Sequence, residues 1–445
     1  MRIGIVGLGY VGLTLGIAAA NSGIEVYGIE VDSQIQACLR KNRAHFYEPG
    51  LDALIKKVNK KSFFAVDAFP TELFYDAFII TVGTPLKKGE KEPDFDYIRT
   101  ALHELRPVYT GKELVILRST VSVGTTRRIV LPELARMAGR QESEILVSMC
   151  PERTVEGKAV EELKKLPQII SGNNEKSLEI AQRLFRHMTP YVIPVRSLEE
   201  AELVKLYCNT YRDLTFAIGN VFCRTAQTFG VDGMEVITHA NQGYDRANIC
   251  IPGFAAGPCL EKDAYILTNN LEESSGKRFI MSGRAFNESL EDMVVEWVEE
   301  RIGSSPADKI LAISGLAFKG TPETSDLRGS SSVYIAEKLV KKGYRLRLHD
   351  FVTLKKELQA LQLGEVYEDL YEACQGVSML LVLNNHKKYS MLEAVPEIKK
   401  GKAGSKKGRL AVLDIWDVCS NWKYDAHVDV FTIGNMYIRG GANKA

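Results

Sequence analysis

The stretch RIGIVGLGYVGLTLGIAAANSGIEVYGIEVD, residues 2–32, reads as a strand, a glycine-rich turn, a helix and a second strand. The first strand is the short apolar run after Arg2. The helix is the Ala- and Leu-rich segment that stops near Gly23, and the second strand ends at Glu30. Together they form a βαβ unit whose turn carries Gly7-x-Gly9-x-x-Gly12. In this setting Gly7 permits the tight turn, Gly9 lets a pyrophosphate approach the backbone, and Gly12 permits close helix–strand packing. The helix N-terminus would offer amide donors to phosphates. Glu30 stands where an acid binds ribose hydroxyls and repels a 2′-phosphate, so NAD is expected rather than NADP. A tight turn without a ligand would show the same glycines.

The runs AFIITVGTP (77–85), ELVILRSTV (113–121), EILVSMCPE (144–152) and PQIISG (167–172) read as further strands, mostly separated by helical stretches. A doubly wound parallel sheet is therefore expected over residues 1–196. Ser197 and Glu200 form an S-x-x-E capping pattern. A long Pro-free helical pattern follows and ends near Gly230, with shorter helices continuing to about residue 302. A helix this long fits a spine or a dimer core, so 197–305 reads as a central helical domain. A second α/β pattern, 306–445, has strand-like runs KILAISGLAF (309–318), YRLRLHD (344–350), SMLLVLNN (378–385) and RLAVLDI (409–415). The helix SSVYIAEKLVKKG (331–343) separates the first two. The basic segment KKGKAGSKKGR (399–409) reads as a solvated loop. The fold class is α/β, with an N-terminal Rossmann-like sheet, a central long-helix domain and a second Rossmann-like domain at the C-terminal end.

A chain of 445 residues exceeds a single core, in keeping with several domains. The net charge of +1 argues against a broad nucleic-acid surface. No apolar run approaches a membrane span, and MRIGIVGLGYVG lacks the pattern of a signal peptide. The eight cysteines are scattered without a CxxC, which reads as reduced thiols in a cytoplasmic protein. No metal site is read from the seven dispersed histidines.

Three groups of residues offer chemistry. In GFAAGPCLEKDAYIL (253–267), Cys259 follows Gly257 and Pro258, where a backbone can approach a ligand, and precedes Lys262 and Asp263. It is either a nucleophile or a buried filler. Lys205 and Asn209, spaced i and i+4, share one face of the long helix and suit an ammonium and an amide converging on one oxygen. An exposed lysine beside a polar neighbour has the same spacing. Thr120 and Glu152 end strands, where open α/β sheets place ligands, although both types also form ordinary turns.

The segments GLGYVGL, FYEPGLDALI, ITVGTPL, LRSTVSVGTT, CPERTVEGKA, AELVKLYCNTYRD, GPCLEKD and GLAFKGTPETSDLRGSS, in this order, resemble the UDP-glucose/GDP-mannose dehydrogenase family over most of the chain. The resemblance implies that Gly7, Gly9, Tyr10, Val11, Gly12, Glu30, Val82, Thr84, Pro85, Ser119, Thr120, Glu156, Lys262 and Arg328 hold NAD. It implies Cys259 as nucleophile, Lys205 and Asn209 as oxyanion donors, and Asp263 activating water with Thr120 and Glu152. Glu152, Arg153 and Glu156 would line the sugar end. Gly253, Phe254, Gly257, Phe318 and Lys319 would hold the UDP part, and Arg246 would enter a neighbouring subunit's site. The implied reaction is a four-electron oxidation of a UDP-sugar C6 alcohol to a uronic acid, through a thiohemiacetal and a thioester, in a homodimer or higher oligomer with shared sites.

Arg153 and GPCLEKD resemble the UDP-N-acetylhexosamine branch, acting on UDP-GlcNAc or UDP-ManNAc, more than the UDP-glucose branch. Two departures stand out. Trp416 and Asp417 occupy positions where a basic nucleotide contact is common, and Ser122 replaces a frequent proline, with an effect expected only on local rigidity. A UDP-glucose 6-dehydrogenase, a single-hydride β-hydroxyacid dehydrogenase and a non-catalytic nucleotide-sugar-binding protein are the competing readings. Cys259 and the added C-terminal domain weigh against the single-hydride enzyme. The presence of Cys259, Lys205 and Asp263 together weighs against the binding protein.

Overall fold

The structure, a computed structural model, describes residues 1–302, 309–394 and 409–438. Residues 399–408 of the basic segment and the 305/306 domain limit lie outside the described residues. The chain divides into two compact units. One holds Met1–Thr210 and Lys262–Ser274, the other Tyr211–Glu261 and the described residues of Ser275–Ala445.

In the first unit the opening stretch folds as strand β1 (Arg2–Val6), helix Tyr10–Asn21 and strand β2 (Glu25–Ile29), with β1 and β2 parallel. Strands β3 (Phe63–Val66), β4 (Ala77–Ile80), β5 (Leu114–Leu117) and β6 (Val147–Met149) complete a parallel sheet of order β3-β2-β1-β4-β5-β6. Strand direction of build-out reverses between β1 and β4, and open α/β sheets bind ligands at the C-terminal strand ends there. Both faces are covered. Along β4, Ala77 and Ile79 face one apolar core while Phe78 and Ile80 face the other, the alternation of a pleated strand.

The run PQIISG, expected in this sheet, forms β7 (Gln168–Ile170) and pairs with β8 (Val192–Pro194) in a separate two-stranded sheet. The reason is local: Ser171 and Asn173, just beyond β7, donate their amides to Met149 and Val147 and so occupy the edge of β6.

The second unit repeats this plan. Strands β9 (Ile310–Ser314), β10 (Arg345–His349), β11 (Glu365–Val366), β12 (Met379–Val382), β13 (Leu410–Asp414) and β14 (Val428–Thr432) form a parallel sheet of order β11-β10-β9-β12-β13-β14. The turns correspond as well. Gly7 donates to Ile29 O at 3.0 Å, and Gly315 to His349 O at 2.9 Å. Asp350 follows β10 as Glu30 follows β2. Its carboxylate, however, already accepts the amides of Ala317, Val352 and Thr353, so it stabilises its own turn.

The long helix runs Leu198–Thr228, and its residues from Tyr211 belong to the second unit. Ser197 Oγ accepts from the Glu200 amide at 3.1 Å, while the Glu200 carboxylate accepts from Arg196 rather than Ser197. The expected shorter helices include Gly233–Asn241 and Leu260–Thr268, but Ser275–Ile302 is one helix of 28 residues.

Gly12 fixes how closely the first helix sits on its turn. A Cβ there would overlap Gly7 O and lie 2.5 Å from Thr81 Oγ1, whereas a Cβ on Gly9 would meet nothing within 4 Å. Gly12→Ala should therefore cost about 1–3 kcal/mol of stability, the usual range for overpacking. Gly9→Ala should leave the urea midpoint near that of the parent. Equal midpoints for the two variants would contradict this packing.

Candidate active site

The C-terminal ends of β1, β4 and β5 are tied together by side chains. Thr81 Oγ1 donates to Gly7 O at 2.7 Å, Ser119 Oγ to Val82 O at 2.6 Å and Thr84 Oγ1 to Thr120 O at 2.5 Å. These hydroxyls shape the strand ends, so Ser119 and Thr84 serve any ligand first through backbone placement. Glu30 is buried and accepts from the Leu8 amide at 2.9 Å and the Asp32 amide at 3.0 Å. Each of its oxygens keeps a second acceptor site. Open space above Gly9, the helix start at Tyr10 and an acid at the end of β2 fit a dinucleotide with an unsubstituted 2′-hydroxyl.

Tyr10 links this turn to the CPERTVEGKA loop. Its hydroxyl donates to Glu48, and Glu48 also accepts from the amides of Gly157 at 2.7 Å and Val160 at 3.3 Å. Burial, then the Glu48 carboxylate, push the Tyr10 hydroxyl well above the usual phenol range. Pro85 follows Thr84 at the end of β4, and Glu156 lies within electrostatic reach of Tyr10.

Glu152 is buried against Arg118, whose Nε donates to it at 3.1 Å and whose Nη2 makes a second bond. The Thr154 amide donates to its other oxygen at 2.5 Å. Burial alone would raise the Glu152 carboxyl. The Arg118 guanidinium, the Thr154 amide and the Lys205 charge outweigh it, and the carboxyl sits below its ordinary value. Glu152 and Lys205 are thus electrostatic neighbours. Arg118 also donates to Cys150 O and Gln168 Oε1. Arg153 donates to Pro167 O, and its side chain lines a small polar cavity with Glu152, Thr154 and Gln168.

Lys205 and Asn209 are both buried. Asn209 Nδ2 donates to Asp263 Oδ2 at 2.6 Å, and Lys262 Nζ contacts Asp263 Oδ1 at 2.8 Å. The loop after Thr120 is anchored twice. Glu202, one turn before Lys205, accepts from the Gly124 and Thr126 amides and the Thr126 hydroxyl. Ser122 Oγ donates to Ile266 O at 3.1 Å, a tether that goes beyond the rigidity effect expected of this position. Arg118, Glu48 and Glu202 escaped the sequence reading. The signal for Arg118 was a charged residue at the end of an apolar strand.

In the second unit Cys259 is exposed and immediately precedes the helix Leu260–Thr268, whose first turn carries Lys262 and Asp263. Gly257 has φ +97°, donates to Gly329 O at 2.7 Å, and would bring a Cβ within 2.5 Å of the Phe318 ring. Phe254 is buried, and Lys319 Nζ lies 5.2 Å from the Phe318 ring centroid. Arg246 is exposed with its guanidinium over Tyr244, and Arg328 forks onto Asp326. The Trp416 indole packs on Gly253, which has no room for a Cβ, and donates to Leu383 O at 3.0 Å. Asp417 pairs with Lys423 at 2.7 Å. Trp416 and Asp417 are thus occupied with loop packing and an ion pair. Among the described residues no His, Cys, Asp and Glu group could hold a metal ion, and no helix is long and apolar enough to cross a membrane.

Three domain models of the UDP-glucose/GDP-mannose dehydrogenase family match the chain: the NAD binding domain at residues 1–189, the central domain at 199–289 and the UDP binding domain at 312–421. A UDP-N-acetyl-D-mannosamine dehydrogenase from Pyrococcus horikoshii is 30% identical over 395 residues, covering 87% of this chain and 90% of the relative. One from Campylobacter jejuni is 32% identical over 351 residues, covering 77% and 84%. The solved structure of a UDP-D-ManNAc dehydrogenase from Pyrococcus horikoshii superposes with a TM-score of 0.86 at 28% identity, covering 98% of this chain and all of that one.

The Arg118–Glu152 pair makes a pH-dependent prediction. A carboxyl lowered on folding adds stability above its unfolded value, near ~4.3, and loses it as the pH falls through the folded value. Arg118→Met should cost about 3–5 kcal/mol at neutral pH by leaving Glu152 buried and unpaired. The deficit should shrink on acidification, as Glu152 protonates in the variant. A deficit in chemical denaturation that is constant from pH 7 to about 4 would contradict the pairing.

Proposed function

The chain belongs to the UDP-glucose/GDP-mannose dehydrogenase family of NAD-dependent nucleotide-sugar dehydrogenases, and from that premise we propose that it oxidises the C6 alcohol of UDP-N-acetylmannosamine to the carboxylate. The observation that carries the chemistry is the exposed Cys259 thiol at the start of the helix bearing Asp263. The sugar assignment is supported by the specificity named for the Pyrococcus and Campylobacter relatives, together with the resemblance of Arg153 and GPCLEKD to the N-acetylhexosamine branch.

NAD would supply the hydride acceptor, one molecule for the alcohol and, after the reduced cofactor is exchanged, a second for the thiohemiacetal. The Gly7–Gly12 turn, Tyr10, Val11 and Glu30 hold the cofactor, with Val82, Thr84, Pro85, Ser119 and Thr120 shaping the floor. The C6 hydroxyl gives its proton to solvent water, and Lys205 and Asn209 stabilise the resulting alkoxide. Asn209 spends one amide hydrogen on Asp263 and keeps the other for that oxygen. The Cys259 thiolate then adds to the aldehyde carbon, and the new alkoxide meets the same two donors. After the second oxidation the carbonyl is a thioester. Water adds to it, the C–S bond breaks, the thiolate departs and the carboxylate forms. Asp263 accepts one proton of that water and the other passes to solvent. Glu152, held ionised, orients it with the Thr120 hydroxyl.

Phe254, Phe318 and Lys319 bind the UDP part, and Arg328 reaches the cofactor. Tyr207, Tyr211, Ile218 and Phe222 are exposed at helical spacing along Leu198–Thr228, which supports a homo-oligomer in which Arg246 completes a neighbour's site. Eight cysteines without a disulfide support a reducing cytoplasm.

Cys259→Ala should fold and bind NAD and UDP-sugar, yet form no uronate measurable by mass spectrometry with excess NAD. Near-parental uronate would remove the thiol from the mechanism. Across UDP-N-acetylmannosamine, UDP-N-acetylglucosamine and UDP-glucose, kcat/KM should be highest for the first. A clear preference for UDP-glucose would overturn the sugar assignment.

A further inference from the structure

The loop that presents Cys259 has little of its own to hold it in place. Between Gly253 and Gly257 it offers Phe254 and otherwise only Gly and Ala. Its shape comes from a buried polar chain on the two long helices. Arg284 and Asp213, whose side chains are 4% and 1% exposed, form an ion pair at 2.6 Å. Arg284 Nη1 also donates to Ala255 O at 3.3 Å and to Leu260 O at 3.0 Å, the carbonyls on either side of the thiol. Asn287 Nδ2 donates to Asp213 O and Oδ1, at 2.8 and 2.9 Å. Asn287 Oδ1 accepts from Asn220 Nδ2 at 2.9 Å. Asn220 grips Gly253 by both backbone groups, accepting its amide at 2.8 Å and donating to its carbonyl at 3.0 Å.

Burying a guanidinium is costly, and a hydrophobic pair would often be at least as stable. The charge here performs a task an apolar side chain cannot: one nitrogen spans two carbonyls on either side of Cys259. We propose that Arg284 is a positioning residue that sets the location of the Cys259 sulfur through Ala255 and Leu260, with Asp213, Asn287 and Asn220 holding Arg284 and the start of the loop in register. This inference rests on the reading of Cys259 as the nucleophile.

The test uses Arg284→Lys in the full-length enzyme. A lysine keeps the charge opposite Asp213, but its ammonium falls one bond short of the place of Arg284 Nη1, from which both carbonyls are held. Four quantities are read: kcat and KM for uronate formation, the ratio of aldehyde to uronate by mass spectrometry, and the rate at which iodoacetamide alkylates Cys259. The expected result is a kcat lower by about 10²-fold, as for a reacting group displaced by about 1 Å. KM for NAD and UDP-sugar should stay near the parent values, aldehyde should rise relative to uronate, and the alkylation rate should change.

Unchanged kcat and product ratio in the folded variant would overturn the proposal. So would a loss of activity that only follows a lower thermal midpoint. If Arg284→Lys fails to fold, Arg284→Met combined with Asp213→Leu, which removes both charges, is read in the same way. Parental uronate from Cys259→Ala would sink the nucleophile reading instead. The alkylation rate still decides the present proposal in that case: a changed rate supports it and an unchanged rate overturns it.

Discussion

The hydrogen bond from Asn209 to Asp263, 2.6 Å long between residues 54 apart in sequence, is the constraint on which the proposed chemistry depends. It joins the long helix, with Lys205 one turn earlier, to the helix that begins directly after Cys259. Both partners are buried, so neither has water as an alternative and losing either would strand the other. Once this bond and the Lys262–Asp263 contact are made, the rotamers of three charged or polar side chains are chosen together.

Around that bond, backbone groups do much of the positioning. Glu202 gathers two amides after Thr120, Glu48 gathers one from the loop after Glu152 and one from the first turn of the helix that follows it, and Glu30 takes the Leu8 amide of the glycine turn. Each carboxylate pins a loop that regular secondary structure leaves unpaired. Glu152 differs, because its main partner is the Arg118 guanidinium, and it stays ionised despite burial. A buried ionised carboxylate orients and accepts hydrogen bonds, which fits its proposed part beside Thr120.

The parts of the fold legible in the sequence are those written in local periodicity. The strands β1, β4, β5, β9, β12 and β13 are apolar runs, β10 alternates Arg and Leu, and the roles of Gly7 and Gly12 follow from their spacing. Strand β11 has only two residues, and β14 carries Asp429, which is buried because Arg409 meets it at 3.1 Å. No local pattern reports such a pairing. The same holds for Arg118 and Glu48, whose partners Glu152 and Gly157 lie 34 and 109 residues away. The i,i+4 spacing places Lys205 and Asn209 on one face, but only the fold supplies Asp263 as the partner of Asn209.

In the proposed reaction one active site carries a UDP-sugar through two oxidations without releasing the aldehyde. Counting NADH by absorbance against UDP-N-acetylmannosamine consumed, with NAD in excess, tests it most directly. Two NADH are expected for each sugar consumed, with the uronate as the product. One NADH for each sugar, with an aldehyde as the product, would contradict it.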